Sequence, residues 1–247
     1  MIKMIIPNID VLQNRHKKSA FTMIELIMVI VVLGILAALA MPRMERDVRQ
    51  EAADNILSAI RFTQHMALMD NVIDTTSGNR LKWQRRFWRF GKEGCSDNGI
   101  FYYVGSDKDT GSAANTASNI SVQNGEAAID PSNGMVMMGQ NNQPCESDLS
   151  TQFFAAPVGR ASPNIFLTKQ YGIKENDTKL VSQCPGNTLS IGFDYLGRPH
   201  RGFEGSSIPD YSTLMEKDCN LTFEFEDGSP DLIVTIEKET GRVYQAN

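Results

Sequence analysis

From Phe21 to Met41 every position is apolar or glycine except Thr22 and Glu25. As a helix these 21 residues would measure ~31 Å, which matches the ~30 Å hydrocarbon layer of a bilayer. Beyond Pro42 the pattern becomes amphipathic. Met44, Val48, Ala52, Ile56, Ile60 and Ala67 follow helical spacing, while Glu45, Arg46, Arg49, Gln50, Glu51 and Asp54 occupy other faces. Proline is tolerated at a kink, so the pattern predicts one long helix from about Phe21 to about Asp70, bent near Pro42, its outer half lying on a sheet.

Past Thr75 the helical period fades. Short strand-like runs follow at Ile100 to Val104, Met135 to Met138, Phe153 to Val158 and Ile165 to Leu167. Between Gly105 and Ser150 the chain is rich in Gly, Ser, Asn and Asp, which predicts long loops or an insertion on the domain surface. The last third alternates with period two. Leu189, Ile191 and Phe193 precede a turn at Leu196-Gly197-Arg198-Pro199; Leu221, Phe223 and Phe225 precede another at Asp227-Gly228-Ser229-Pro230. Leu232, Val234 and Ile236 lead to a third turn at Thr240-Gly241-Arg242, before a short closing strand at Val243 and Tyr244. Such runs joined by glycine turns make a mostly antiparallel, half-buried sheet. The predicted fold class is α+β: a long N-terminal helix, its first half membrane-spanning, packed on a mostly antiparallel β-sheet domain.

Charge adds a topology. Lys3, Arg15, Lys17 and Lys18 against Asp10 give residues 1–20 a charge of +3; the whole chain carries −5, so about −8 remains beyond them. Basic flanks stay cytoplasmic, which places residues 1–20 inside and everything after Pro42 outside the inner membrane. An acidic exported domain does not point to nucleic acid as a bulk electrostatic partner.

Glu25 is the anomaly in the apolar run. A carboxylate costs ~2.5–3.5 kcal/mol at the centre of a membrane helix, so it calls for a role. If the chain is cut between Ala20 and Phe21, the new α-amine lies one helical turn before Glu25, and a neighbouring copy offers a better-placed amine than the frayed end of the same helix. Glu25 therefore reads as a docking element for self-assembly. The alternative is an ordinary secretory signal peptide with Ala38-Leu39-Ala40 as its cleavage site, which would leave a soluble periplasmic binding protein. That reading gives Glu25 no use.

The text K-K-S-A-F-T-M-I-E-L, Lys17 to Leu26, resembles the processing site of type IV prepilins and type II secretion pseudopilins. The resemblance implies cleavage before Phe21 by a membrane prepilin peptidase, N-methylation of Phe21, a requirement for Glu25 in assembly, and packing of the apolar helix in a filament core. Pro42 also sits where that family commonly has a proline, whereas the family usually has Gly in place of Ala20. The implied organisation is a leader over 1–20, a transmembrane and filament-core helix over 21–41, its amphipathic continuation over 42–71, and an exported β-rich domain over 72–247. The helix text A-A-D-N-I-L-S-A-I-R-F-T-Q-H-M-A-L-M-D-N, the strand-turn L-S-I-G-F-D-Y-L-G-R-P and the closing T-I-E-K-E-T-G-R-V-Y are similar to the GspH/FimT minor pseudopilins, which implies a low-abundance subunit at or near a filament tip. The implied partners are other pilin or pseudopilin subunits, the peptidase, an inner-membrane assembly platform and secreted cargo.

Cys95, Cys145, Cys184 and Cys219 all fall in the part expected outside the membrane, where disulfides persist. Four cysteines allow three pairings. Bracketing of continuous segments favours Cys95 with Cys145 and Cys184 with Cys219 without excluding the others. No metal-ligand spacing is present, so neither a metal nor another cofactor is expected. Catalysis finds no motif; beyond residue 20 only His65 and His200 remain, expected on the helix surface and in an exposed turn. Asp107-Lys108-Asp109-Thr110-Gly111 is a fragment of a calcium loop without its later acidic ligand, and reads as a solvated loop. From Arg80 to Phe90 the chain interleaves cations and aromatics: Arg80, Lys82, Trp83, Arg85, Arg86, Trp88 and Arg89 are the candidate nucleic-acid or partner patch. The favoured reading is a strand whose aromatics enter the core or an interface, some arginines stacking on them; DNA gripped during uptake is the alternative.

Overall fold

The computed structural model describes residues 22–70, 80–108, 120, 125–140, 143–146, 160–175, 184, 190–206 and 208–246. Two compact units divide the chain, Met1–Glu45 and Arg46–Asn247. Helix α1 is assigned over Met23–Met69 and includes Pro42. In the first unit its apolar side chains from Met23 to Leu36 are exposed on every face, Met23 at 83%. Among the described residues no helix is long and apolar enough to cross a membrane. Side chains 38–47, which carry the rest of the apolar run, lie outside the described set.

In the second unit α1 buries Ala52, Ala53, Ile56, Leu57, Ala59, Ile60, Thr63 and Ala67, with Glu51, Asp54, Ser58 and His65 exposed. Four alanines on the buried stripe let the helix backbone sit close to its neighbours. Beneath it lies a four-stranded antiparallel sheet in the order β2-β1-β3-β4, formed by β1 (Trp88–Gly94), β2 (Ile100–Gly105), β3 (Ser190–Phe193) and β4 (Pro199–His200). Register pairs Phe90 with Val104 and Ile191, and Arg89 with Gly105 and Gly192. Side chains alternate across a strand. Phe90 stacks on Tyr102 at 5.3 Å, and Tyr102 bonds to Asn55 of α1, so this face looks at the helix. The opposite face carries Arg89, Gly91 and Glu93. It is covered too, because the Tyr103 ring lies over Gly91 and the Phe203 ring over Gly192, where a Cβ would overlap them.

A second sheet, β5 (Cys219–Phe223), β6 (Leu232–Ile236) and β7 (Val243–Ala246), is an antiparallel meander. Glycines at positive φ make its turns and the one between β3 and β4: Gly228 at 78°, Gly241 at 66° and Gly197 at 78°. Polar side chains of α1 grip both sheets. Arg49 donates to the carbonyls of Pro230 and Asp231 at 2.9 and 3.0 Å, and Arg61 to that of Val243 at 2.9 Å. Gln64 Nε2 donates to Gly197 and Thr240 carbonyls, both at 2.8 Å, so one amide ties a turn of each sheet. The segment with the short helix α2 (Leu167–Tyr171) links the sheet edges, pairing Phe166 with Phe101 and Ile173 with Phe225.

Three sequence expectations need correction. Ile165 to Leu167 is no strand: it is a 3-10 turn running into α2, with Ser162 capping the turn, so only Phe166 bridges to a neighbour. Met135 to Met138 pairs only at Val136, in isolated bridges to Ile129 and Ala161. The described part of 105–150 is not a surface insertion, since Glu126, Ala127, Ala128, Asp130, Val136 and Met137 are buried. Asp130 explains how so polar a stretch enters the interior. Burial raises its carboxyl pKa, but donors on Ser132, Ser162 and Asn164 outweigh that and hold it below the usual range. The expected run Phe153 to Val158 lies outside the described residues.

Candidate assembly site at the helix start

The first helical bond runs from the Leu26 N–H to the Thr22 carbonyl at 3.2 Å, which makes Thr22 the N-cap of α1. Glu25 is then the third helical residue. Its N–H donates to Thr22 Oγ1 at 3.3 Å, while the Thr22 N–H and hydroxyl both donate to Glu25 Oε2 at 3.2 Å. This reciprocal arrangement is a capping box, T-x-x-E, and it satisfies donors that the helix start leaves free. A carboxylate here also faces the positive end of the helix dipole. The sequence reading treated Glu25 as an acid in an apolar run and missed Thr22, although the four-residue signal was present. Both side chains are exposed. Ala20 and Phe21 lie outside the described residues.

The cysteines pair as Cys95–Cys145 and Cys184–Cys219, closing separations of 50 and 35 residues, and no free cysteine remains. Cys95, Asp97 and Cys145 bring ligand-type atoms within 4.8 Å, but both sulfurs are spent in the disulfide and the Asp97 carboxylate accepts the Cys145 N–H.

The cation and aromatic stretch is divided between a 3-10 turn, Arg80–Arg86, and β1. Arg80 and Lys82 side chains are outside the described set. Trp83 is half-buried, edge-on to Phe87 at 5.4 Å. Arg85 is buried and donates to the Ser206 and Gly205 carbonyls at 2.9 and 3.1 Å; Arg86 is half-buried. Trp88 is buried, its indole N–H on Asp70 at 2.9 Å, with Lys108 Nζ over the ring at 5.5 Å. Arg89 is fully buried beside the Phe203 ring at 5.9 Å. Among the described residues its guanidinium nitrogens find no hydrogen-bond acceptor. The structure thus turns Arg85, Trp88 and Arg89 inward and does not gather the stretch into one exposed stripe.

His65 is exposed on α1, as its helical position suggests. His200 is not in an exposed turn: it ends β4, paired with Gly192, and is buried against Phe87. Its Nδ1 lies 2.9 Å from Thr213 Oγ1 and its Nε2 3.4 Å from Asp194 Oδ2. Asp, His and Thr in a row invite comparison with a nucleophile triad. The Thr213 hydroxyl, however, donates to the Asp210 carbonyl at 2.8 Å, and all three side chains are enclosed. The cluster instead pins the β3–β4 turn, where Asp194 accepts from the Leu196 and Arg198 amides, each at 2.9 Å, and from the Arg198 guanidinium. Burial pushes the Asp194 carboxyl up; hydrogen bonds from His200, from the Arg198 amide and guanidinium and from the Leu196 amide overcome this and hold its pKa at about 2.

No curated protein and no solved structure matches the chain. A family model, the prokaryotic N-terminal methylation motif, matches residues 15–41, the stretch that contains Ala20, Phe21, Thr22 and Glu25. The chain therefore carries the prepilin-type N-terminal motif of the type IV pilin and pseudopilin family.

Proposed function

We propose that this protein is a minor pseudopilin-like structural subunit of a type II secretion pseudopilus or a related type IV pilus, supporting protein secretion. The single observation behind this is the methylation motif over 15–41, with its acid inside an otherwise uncharged run. In this reading the chain inserts once in the inner membrane with its N-terminus cytoplasmic. Prepilin peptidase cuts between Ala20 and Phe21 and methylates the new amine. The subunit then leaves the bilayer by lateral packing of α1 against other subunits on an assembly platform. Lipid is as apolar as the helix, so little hydrophobic energy separates packed from unpacked helices, and specificity falls to shape and to the pairing of Glu25 with a neighbouring Phe21 amine. Its work is mechanical rather than catalytic. The GspH/FimT-like helix and C-terminal strand texts favour a low-abundance subunit whose exported domain meets other minor subunits or secreted cargo.

Intact mass and N-terminal sequencing of protein purified from its native membrane test the reading. The expected start is N-methylated Phe21; a chain starting at Met41 would overturn it in favour of an ordinary signal peptide. Glu25→Ala is expected to insert and be cut normally yet be absent from sheared filaments.

A further inference from the structure

Arg89, Gly91 and Glu93 share one face of β1, because side chains alternate along a strand. Register sets Gly192 of β3 beside Arg89 and Ser190 beside Gly91. Ser190 is therefore the diagonal neighbour of Arg89 on the same face, ~7–8 Å away in ordinary sheet geometry. The Tyr103 ring lies over Gly91 between them, and its hydroxyl hydrogen-bonds with Ser190. Burial pushes the Tyr103 phenol up to about 12, so it stays protonated. Over this face runs the segment 201–206, fastened by the Phe203 ring above Gly192 and by Arg85 on the Gly205 and Ser206 carbonyls. Its Glu204 accepts from the Ser190 hydroxyl and is half-buried, so the segment meets solvent at that residue. Arg89 is 0% exposed, and among the described residues no acceptor reaches any of its three guanidinium nitrogens.

We propose that Arg89 and Ser190 are two donors of one carboxylate-binding site, that Glu204 is its internal occupant, and that an acidic side chain of another polypeptide takes the place of Glu204. A guanidinium keeps its charge at every physiological pH, so burial without a hydrogen-bonded anion is an unfavourable state that a ligand relieves. A carboxylate has two oxygens and about four lone-pair sites, enough to accept from Ser190 and from Arg89 together. Glu204, tethered to the segment 201–206, makes only the first of these bonds. Glu93 does not make the second. Burial raises its carboxyl pKa, the Arg89 charge only partly opposes this, and no described hydrogen bond joins the two. Exchange of one carboxylate for another leaves the charge of the face unchanged. Entry follows the path of the half-buried Glu204 side chain while Phe203 keeps its seat. The present occupant is a glutamate borne on a peptide, which sets the ligand class as an acidic side chain. Glu25 and the N-terminal motif take no part in this site.

The test uses the full-length chain in detergent, with affinity read from the shift of the Gly192 amide on titration. The probes are acetyl-glutamate amide, the uncharged acetyl-glutamine amide, sodium acetate as a free carboxylate, and sodium chloride for ionic strength. Acetyl-glutamate amide is expected to bind Glu204→Ala, and to bind the parent more weakly because the tethered Glu204 competes. Adding Arg89→Met to Glu204→Ala is expected to weaken binding about tenfold or more, the ratio for losing one hydrogen bond to a charged group. Ser190→Ala in the same background removes the other donor, is expected to act alike, and keeps the test readable should Arg89→Met fail to fold. Acetyl-glutamine amide and chloride are expected to leave the Gly192 amide in place. No binding to Glu204→Ala, or equal affinity in the parent and Glu204→Ala, would overturn the proposal. So would affinity indifferent to both Arg89→Met and Ser190→Ala. Binding of acetate with refusal of acetyl-glutamate amide would overturn a polypeptide as the source.

Discussion

Asp194 shows how a single residue can set the acid limit of this fold. Its folded pKa of about 2 lies below the ordinary aspartate value, so the group stabilises the fold at pH above the unfolded value, and that contribution is lost as pH falls through about 4 toward 2. The linkage amounts to about 2 kcal/mol. Chemical denaturation is expected to show Asp194→Asn less stable than the parent at pH 7 and the two converging near pH 2; a constant gap would show that the turn is held by something other than this charge. The residue scale is also where the sequence was least legible. His200 read as a surface turn residue because the strand beside it is short, and nothing local announced that Thr213 and Leu214 fold back onto it. Thr22 went unread for a different reason. Its capping signal overlaps an apolar run, and the run dominated.

At the scale of elements, β2 was legible as the apolar run Ile100 to Val104, whereas which side chains of β1 and β2 share a face was hidden. Period two survives in β5 and β6, where polar Asn220 and Thr235 mark the other face. In Ile100–Gly105 all six residues are buried, because α1 covers one face, while on the other Phe101 packs against Gly139 and Phe166 and Gly105 lies against Ile120. With both faces covered the alternation disappears, and β1, which buries Arg89 and Lys92 along with its aromatics, reads as an unpatterned mix of cations and aromatics. The outer half of α1 was legible because only one of its faces is buried. Ile56, at 0% exposure in the middle of that stripe, reports on the packing. Ile56→Ala is expected to cost about 2–4 kcal/mol of unfolding free energy while leaving helix content by circular dichroism unchanged. A cost below about 1 kcal/mol would mean that α1 does not pack on the sheets as described.

For the whole molecule, the disulfides act as long-range staples: Cys95–Cys145 ties the 143–146 segment to the end of β1, and Cys184–Cys219 ties Cys184 to the start of β5. Chain-entropy arguments give about 4 kcal/mol as the upper contribution of each loop. Cys95→Ala with Cys145→Ala is expected to lose about 2–4 kcal/mol and to remain folded at low temperature; full stability under reducing conditions would show the bridge to be dispensable. The pairing was open in the sequence, where three connectivities were possible, because only the fold brings the 143–146 segment beside the β1–β2 hairpin.

One amide has a mechanical consequence. Gln64 holds a turn of the four-stranded sheet and a turn of the three-stranded sheet on adjacent oxygens, and Arg49 and Arg61 fasten the same helix to the second sheet. Tension drawn through that helix is therefore shared by the two sheets in parallel. Pulled through that helix, the two sheets should yield together, at high load, in place of peeling one by one.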